Sequence, residues 1–149
     1  MNSDTSTSDS KLKIIHEMSA EDWQVISTNL RNYNIEQSEG LSTKPGTSIH
    51  LTLKSKTGEA IGGIRGRTYY QSLTIDHIWI DERFRKMGYG KDLLLKVEDL
   101  AKEDGCVSAN TSSYSFQAPH FYEKLGYKTV GVFEGYPEGI KKFFLEKKL

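Results

Sequence analysis

The stretch from Leu73 to Lys91 constrains the fold more than any other, because it joins a buried strand to a helix through a glycine turn. Its first part, LTIDHIWI, is rich in β-branched and aromatic residues and predicts a strand. The turn reads R-x-x-G-x-G at Arg85–Gly90, and apolar residues then recur at helical spacing. A helix N-terminus presents unpaired N–H groups, and glycine lets a ligand approach them closely. The stretch therefore predicts a cradle for a phosphate or pyrophosphate.

The apolar residues of this strand change phase partway along it. Leu73 and Ile75 occupy odd positions, whereas Ile78 and Ile80 occupy even ones. Such a slip predicts a β-bulge around Asp76-His77. A bulge exposes backbone groups that a ligand can then bind. The predicted bulge therefore favours a binding site over the alternative, an ordinary strand–helix connection.

The composition limits the classes of function. The 149 residues suit a single domain, and 20 basic side chains balance 20 acidic ones, which argues against a nucleic-acid-binding protein. The single cysteine, Cys106, excludes an internal disulfide and fits a reducing compartment. Because no apolar run has the length of a membrane span and no signal peptide is present, we expect a cytoplasmic protein without a membrane partner.

The N-terminal third is expected to contain a tail, a strand and a helix. Residues 1–10 are polar and predict a disordered tail, so that 11–149 form a single domain. Lys11–Met18 is interpreted as a first strand. The S-x-x-D sequence at Ser19 predicts a helix cap, and the following stripe is expected to pack in the core. The stripe consists of Trp23, Ile26, Leu30 and Tyr33. Asn34–Gly46 is interpreted as a loop, with a short second helix inside it as the alternative.

The rest of the chain alternates strands with two helices. One helix follows Gly90 and ends near Gly105, and the second spans Gln117–Leu125. Gly62 and Gly63 predict a bulge or a close backbone approach. The last two strands are expected to pair. The predicted strands are Ser48–Lys54, Ala60–Tyr70, Leu73–Ile80, Cys106–Ser113, Tyr127–Phe133 and Ile140–Leu149. This order predicts an α/β (α+β) fold with a mixed, mostly antiparallel sheet flanked by helices.

The chain carries two motifs in order: the glycine turn Arg85–Gly90, and the sequence YEKLGY at Tyr122–Tyr127, which ends a later helix. Taken together, they resemble the glycine turn and the later helix-ending sequence of the GNAT superfamily of N-acetyltransferases. The resemblance implies a sheet splayed between the fourth and fifth predicted strands, with acetyl-CoA held in the gap as co-substrate. It implies that two sets of backbone groups bind the cofactor. The pantetheine arm would pair with Ile78, Trp79 and Ile80. The pyrophosphate would be held by the backbone N–H groups of Lys86, Met87, Gly88, Tyr89, Gly90 and Lys91, with Arg85 or Lys86 adding positive charge.

The resemblance also assigns roles around the reacting thioester. Tyr122 is the candidate acid that protonates the departing thiolate. Ser115 stands where many relatives carry Asn and is a candidate cofactor contact, with Phe121 packed beside the cofactor. The general base remains a choice between Asp76 and His77, which flank the predicted bulge, with a hydrogen-bonding structural role as the alternative for each. The histidines and Cys106 share no ligand spacing, so no metal site is expected.

The acceptor is expected to be a small primary amine, with a protein lysine or N-terminal amine as the second choice. Acidic residues in two predicted loops suit a cationic amine: Glu36, Glu39, Glu134 and Glu138. Two other classes remain open, an acyl-CoA-binding module without turnover and a nucleotide-binding regulator. A homodimer is expected from the resemblance alone.

Overall fold

A computed structural model describes residues 12–39 and 44–149. These residues form three α-helices and six strands, with short 3₁₀ turns at Glu82–Phe84 and Pro137–Gly139. The helices are α1 (Ala20–Gln37), α2 (Tyr89–Glu103) and α3 (Pro119–Glu123). The strands are β1 (Ser48–Lys54), β2 (Ala60–Tyr69), β3 (Ser72–Ile80), β4 (Ser108–Tyr114), β5 (Lys128–Phe133) and β6 (Lys142–Lys148).

The six strands form one sheet in the order β1-β2-β3-β4-β6-β5. The pairing of β3 with β4 is parallel, and the other pairings are antiparallel. Helix α2 makes the crossover that a parallel pair requires. The mixed, mostly antiparallel α/β fold predicted from the sequence is confirmed, as is the pairing of the last two strands.

The hydrophobic core lies between α2 and one face of the sheet. Spacing of three and four residues aligns Leu94, Val97 and Ala101 on one side of the helix, and all three are fully buried. They pack with Leu73 and Ile75 of β3 in one cluster. Gly105 ends the helix with φ of +90°, and its N–H donates to the carbonyl of Lys102 at 2.9 Å, as the predicted C-cap requires.

The other face of the sheet, which we call the open face, is not covered by α2. Cross-strand register places His50, Arg65 and His77 in one row on this face, and Thr52, Gly63 and Trp79 in the next. On the second half of the sheet the open face carries polar and aromatic side chains of β4 and β6: Asn110, Ser112, Tyr114, Lys142, Phe144 and Glu146.

Two predictions for the N-terminal region are wrong. Residues 12–18 form no strand, and Lys11 and the predicted tail lie outside the described residues. Helix α1 begins at the predicted capping box, in which Asp22 N–H donates to Ser19 Oγ at 3.0 Å, yet none of its residues is buried. The predicted core stripe is exposed instead, with 59% of Trp23 accessible to solvent. Periodicity revealed an apolar face without revealing which surface covers it.

Smaller differences concern the bounds of elements. Helix α1 continues to Gln37, into the predicted loop, whereas α3 is shorter than the predicted helix. Gly63 shows the predicted close approach, because a Cβ there would lie 2.8 Å from the carbonyl oxygen of Leu51. Within 12–39 and 44–149, no helix is both long enough and apolar enough to cross a membrane.

Candidate active site

The site begins where β3 and β4 part. Their parallel pairing runs from Ser72 with Ser108 to Ile75 with Thr111 and then stops. At this point Thr111 Oγ1 donates a hydrogen bond to the Ile75 carbonyl at 3.0 Å. The register of β3 with β2 shifts by one residue at Asp76, because Arg65 lies opposite His77 and Gly66 opposite Ile75. This is the predicted bulge, and it turns the end of β3 away from β4.

The parting strands leave a groove of about 1100 Å³. Residues from Asp76 to Ile80 form one wall, Thr111–Ser113 form part of the other, and the turn before α2 closes one end. The splayed gap expected from the sequence is therefore present. Of the predicted site residues, 13 line the groove: Asp76, His77, Ile78, Trp79, Ile80, Arg85, Lys86, Gly88, Tyr89, Gly90, Lys91, Phe121 and Tyr122.

The turn at the end of the groove leaves backbone N–H groups without helical partners. Gly88 is the N-cap of α2, with φ of +90° and no side-chain cap, and the first helical bond runs from Asp92 N–H to its carbonyl at 3.0 Å. The N–H groups of Tyr89, Gly90 and Lys91 precede that bond. Lys86 also adopts a positive φ, of 63°. Such a turn, at the positive end of the helix dipole, suits an anion.

Two contacts fix this turn against the rest of the site. Arg85 Nε donates to the carbonyl of Ile80 at 2.9 Å, which ties the turn to the end of β3. A Cβ on Gly90 would lie 3.3 Å from the ring of Phe121, so Phe121 of α3 packs closely against the start of α2 at this glycine. Phe121 thus shapes the groove from the side of α3.

Tyr122 is the most buried of the predicted catalytic residues, with 5% of its surface accessible, yet it borders the groove. Burial raises the pKa of its hydroxyl, and a hydrogen-bond contact with Thr111 acts weakly in the opposite direction. The phenol therefore stays protonated at neutral pH and is available as a proton donor. Its ring makes edge contacts with the rings of Phe121 and Tyr127, with centroids 5.1 and 5.5 Å away.

A buried polar cluster behind Tyr122 was not predicted from the sequence. Tyr127 donates its hydroxyl hydrogen to Glu98 Oε1 at 3.0 Å, and Lys147 Nζ donates to Glu98 Oε2 at 2.8 Å. Burial and the neighbouring Glu98 carboxylate raise the pKa of Tyr127 far above its ordinary value. The cluster joins α2, β6 and the segment after α3, and so it fixes the ring against which Tyr122 packs. The one sign of this cluster in the sequence was the charged residue Glu98 on the apolar side of α2.

Thr111 is a groove residue that sequence reasoning missed. It is buried at the point where the strands part, and it contacts the hydroxyl of Tyr122. The alternation of buried Ala109, Thr111 and Ser113 along β4 places all three on the core side of the sheet. That alternation was readable in the sequence, but the small polar residues of β4 gave it no apolar marker.

The two candidate bases lie on the wall formed by β3. Asp76, the bulged residue, is half-buried and pairs with Arg67 at 3.3 Å between Oδ1 and Nη2. His77 is exposed and lines both the groove and an adjoining hollow of about 410 Å³ on the open face. Both side chains therefore reach the groove. The ion pair with Arg67 gives Asp76 a structural role as an alternative to a catalytic one.

Ser115 and Met87, two predicted cofactor contacts, are not among the groove-lining residues. Ser115 Oγ accepts the N–H of Lys141 at 3.1 Å, and the Ser115 N–H donates to the Lys141 carbonyl at 2.8 Å. Met87 is exposed within the turn. The four acidic residues of the predicted loops also lie outside the groove lining, and one of them, Glu36, belongs to α1. Glu134 pairs with Lys141 at 2.7 Å. No cluster of three metal-ligating side chains occurs among the described residues.

Comparisons with known proteins agree with this geometry. Residues 12–127 match the sequence model of the Acetyltransferase (GNAT) family. The chain is 37% identical over 93 residues to blasticidin-S acetyltransferase from Streptomyces morookaense, which covers 62% of this chain and 68% of the relative. A crystal structure of an acetyltransferase from Bacillus cereus superposes with a TM-score of 0.84 at 37% identity, covering 92% of this chain and 98% of that one.

A third likeness is one of fold. A candidate streptothricin acetyltransferase from Bacillus anthracis, solved in complex with acetyl coenzyme A, superposes with a TM-score of 0.62 at 22% identity. The match covers 71% of this chain and 64% of that one. The matched family, the parted strands and the uncapped glycine turn lead to one conclusion. This chain belongs to the acetyltransferase (GNAT) family and is an acetyl-CoA-dependent N-acetyltransferase.

Proposed function

We propose that this protein transfers an acetyl group to a primary amine of a small molecule, by direct attack of the amine within a ternary complex. The observation that carries the proposal is the groove itself. It joins an anion cradle at one end to a buried, protonated Tyr122, and its wall is strand backbone freed by the bulge at Asp76. Amine and thioester held side by side need no covalent enzyme intermediate.

The groove fits acetyl-CoA, which supplies the thioester whose acetyl group is passed on. Support for this fit comes from Gly88, which lines the groove and where a Cβ would meet no protein atom within 4 Å, so the backbone of the turn is open to a ligand. The N–H groups of Tyr89, Gly90 and Lys91 would hold the pyrophosphate. The segment Ile78–Ile80, which β4 does not pair, would hold the pantetheine arm through its backbone.

The chain's residues then have three tasks in the reaction. A backbone N–H of β3 near Ile80 stabilises the carbonyl oxygen as it gains charge. The C–N bond forms as the C–S bond breaks, and the Tyr122 hydroxyl donates its proton to the departing sulfur. The proton lost by the amine passes to Asp76 or His77 through water. Ser115 and Met87 remain proposed cofactor contacts, although neither lines the groove.

The proposed acceptor class draws on relatives that are named for small antibiotics. One relative is named for blasticidin S and a fold neighbour for streptothricin, and both names denote acetylation of a small molecule. We extend only that class to this protein. We further propose that it acts in the cytoplasm, as its single cysteine suggests, as a homodimer, and without nucleic-acid or membrane partners.

The proposal is tested by measuring free thiol released from acetyl-CoA in the presence of a panel of amines. The panel holds small amines (polyamines, amino sugars and amino-nucleoside antibiotics) and a lysine-containing peptide with a free N-terminus. We expect thiol release with at least one small amine and a lower rate with the peptide. Acetyl-CoA binding without release by any amine would instead indicate a binding module. A higher rate with the peptide would indicate a protein acetyltransferase.

A further inference from the structure

Helix α1 exposes an apolar stripe to solvent. Its stripe residues Trp23, Ile26, Leu30 and Tyr33 are between 46% and 59% accessible. The preceding arm adds four more exposed apolar side chains, those of Leu12, Ile14, Ile15 and Met18. A lone helix of 18 residues is marginal in water, and contiguous exposed apolar surface marks an interaction site. The helix therefore needs a covering surface.

The open face of the sheet is complementary to α1 in chemistry. It exposes 55% of Trp79 and 44% of Phe144, so it has apolar anchors. Its charged groups are mostly basic, whereas those of residues 12–39 are mostly acidic. The open face carries Arg65, Arg67 and Lys142 with His50 and His77, against Asp76 and Glu146. Residues 12–39 carry Glu17, Glu21, Asp22, Glu36 and Glu39, against Lys13 and Arg31 with His16.

The position of α1 indicates that the open face which covers it belongs to another copy of the chain. The superposition with the Bacillus cereus crystal structure covers 92% of this chain and so leaves out fewer residues than the 18 of α1, which means that at least part of α1 lies within the match. In this chain, none of the residues of α1 is buried. A helix held away from its own sheet, with an apolar stripe complementary to that sheet, is the arrangement of an exchanged segment.

We propose that two copies of this chain form a reciprocal dimer in which α1 of each copy packs its apolar stripe on the open face of the other. The contact is isologous, so both stripes and both open faces are covered at once. His77 and Trp79 line both the groove and the hollow on the open face. In the exchanged dimer, α1 of one copy walls the acceptor side of the other copy's groove; this role of α1 rests on the proposed function.

The first test is the mass of the full chain in solution, measured by light scattering during gel filtration. We expect a mass twice the 16.9 kDa of one chain. Replacing Ile26→Glu together with Leu30→Glu should give the monomer mass, because both side chains belong to the stripe and neither is buried. The matched control is Thr28→Glu with Asn32→Glu, which adds the same charge on the opposite side of α1 and should stay dimeric.

Three results of this test would overturn the proposal. The first is a monomeric wild-type protein, and the second is a dimer that survives the stripe substitutions. The third is loss of the dimer in both double variants, since added charge rather than the stripe would then be responsible. All three readouts are independent of acetyl transfer, so failure of the proposed function leaves this test intact.

A second experiment identifies the surface that α1 contacts. The photoreactive amino acid benzoylphenylalanine replaces Leu30, and ¹⁵N-labelled and unlabelled chains are refolded together and irradiated. We expect adducts between α1 of one isotope and peptides of β1–β3 or β4–β6 of the other. Adducts confined to single chains would show that α1 folds on its own sheet, and adducts joining α1 to α1 would show a helix pair. Either result overturns the exchanged dimer.

Discussion

Tyr122 combines burial with access to the groove, which is what an acid toward a thiolate requires. Replacing Tyr122→Phe keeps the ring contacts with Phe121 and Tyr127 and removes only the hydroxyl. We expect kcat to fall about 100-fold while the affinity for CoA changes little, since general acid catalysis contributes roughly that factor. Steady-state thiol release and calorimetric titration with CoA measure the two quantities.

The control for this substitution is Tyr69→Phe, at the end of β2 away from the groove lining, which should leave kcat unchanged. An unaltered rate in the Tyr122→Phe variant would remove the acid role from this residue. Proton transfer to sulfur would then have to come from water.

The general base is separable by the shape of the pH–rate profile. Asp76 is held by Arg67, whereas His77 is exposed, so the two side chains meet the groove in different surroundings. We compare the variants Asp76→Asn and His77→Ala. The variant that removes the base should lose the acid limb of the kcat/KM profile, and the other variant should keep it. The profile is measured by thiol release between pH 5 and about 9 in constant ionic strength. If the limb persists in both variants, neither residue is the base.

At the scale of elements, the start of α2 is the part of the site most sensitive to a Cβ. Replacing Gly88→Val places a branched side chain in the space before the helix N-terminus and imposes a positive φ of 90° on a non-glycine residue. We expect CoA affinity to fall about 100-fold or more, since two charge-assisted hydrogen bonds of about 1.5 kcal/mol each would be lost. Calorimetric titration with CoA measures the change.

The backbone strain of that substitution has a matched control at the other end of the same helix. Gly105 also has φ of +90° and free space around its missing Cβ, but it is not a groove residue. Gly105→Val should therefore lose a similar free energy of unfolding while it keeps CoA affinity. Equal CoA affinities for the two variants would show that the turn does not hold the cofactor.

The elements of the site could be predicted from the sequence because their signals are local. The phase slip between Ile75 and Ile78 revealed the bulge, and Arg85–Gly90 revealed the turn. Helix α1 was found for the same reason, through its capping box. The surface that covers α1 was not found, because an apolar stripe has the same spacing whether its own sheet or another surface covers it. Glu98 and Thr111 escaped notice because their partners are distant in sequence.

At the scale of the whole molecule, the sheet consists of two halves that are joined weakly at the site. Strands β1–β3 form one half and β4, β6 and β5 the other, and the ladder between them extends only from Ser72 to Ile75 on β3. Beyond it, the groove separates the halves. A ligand that contacts Ile78–Ile80, the turn before α2 and Phe121 would bridge them.

This bridging predicts that CoA stabilises the entire domain. A ligand at 100 times its Kd adds about 2.7 kcal/mol to the free energy of unfolding, which for a chain of this length raises Tm by about 5–10 °C. The measurement is calorimetric unfolding at fixed protein concentration, since a dimer's Tm depends on that concentration. Gly88→Val should show a rise of only about 1 °C at the same CoA concentration, because a 100-fold loss of affinity leaves about 0.4 kcal/mol of stabilisation. Gly105→Val should show the full rise. An equal rise in both variants would mean that CoA stabilises the chain from a site other than the groove.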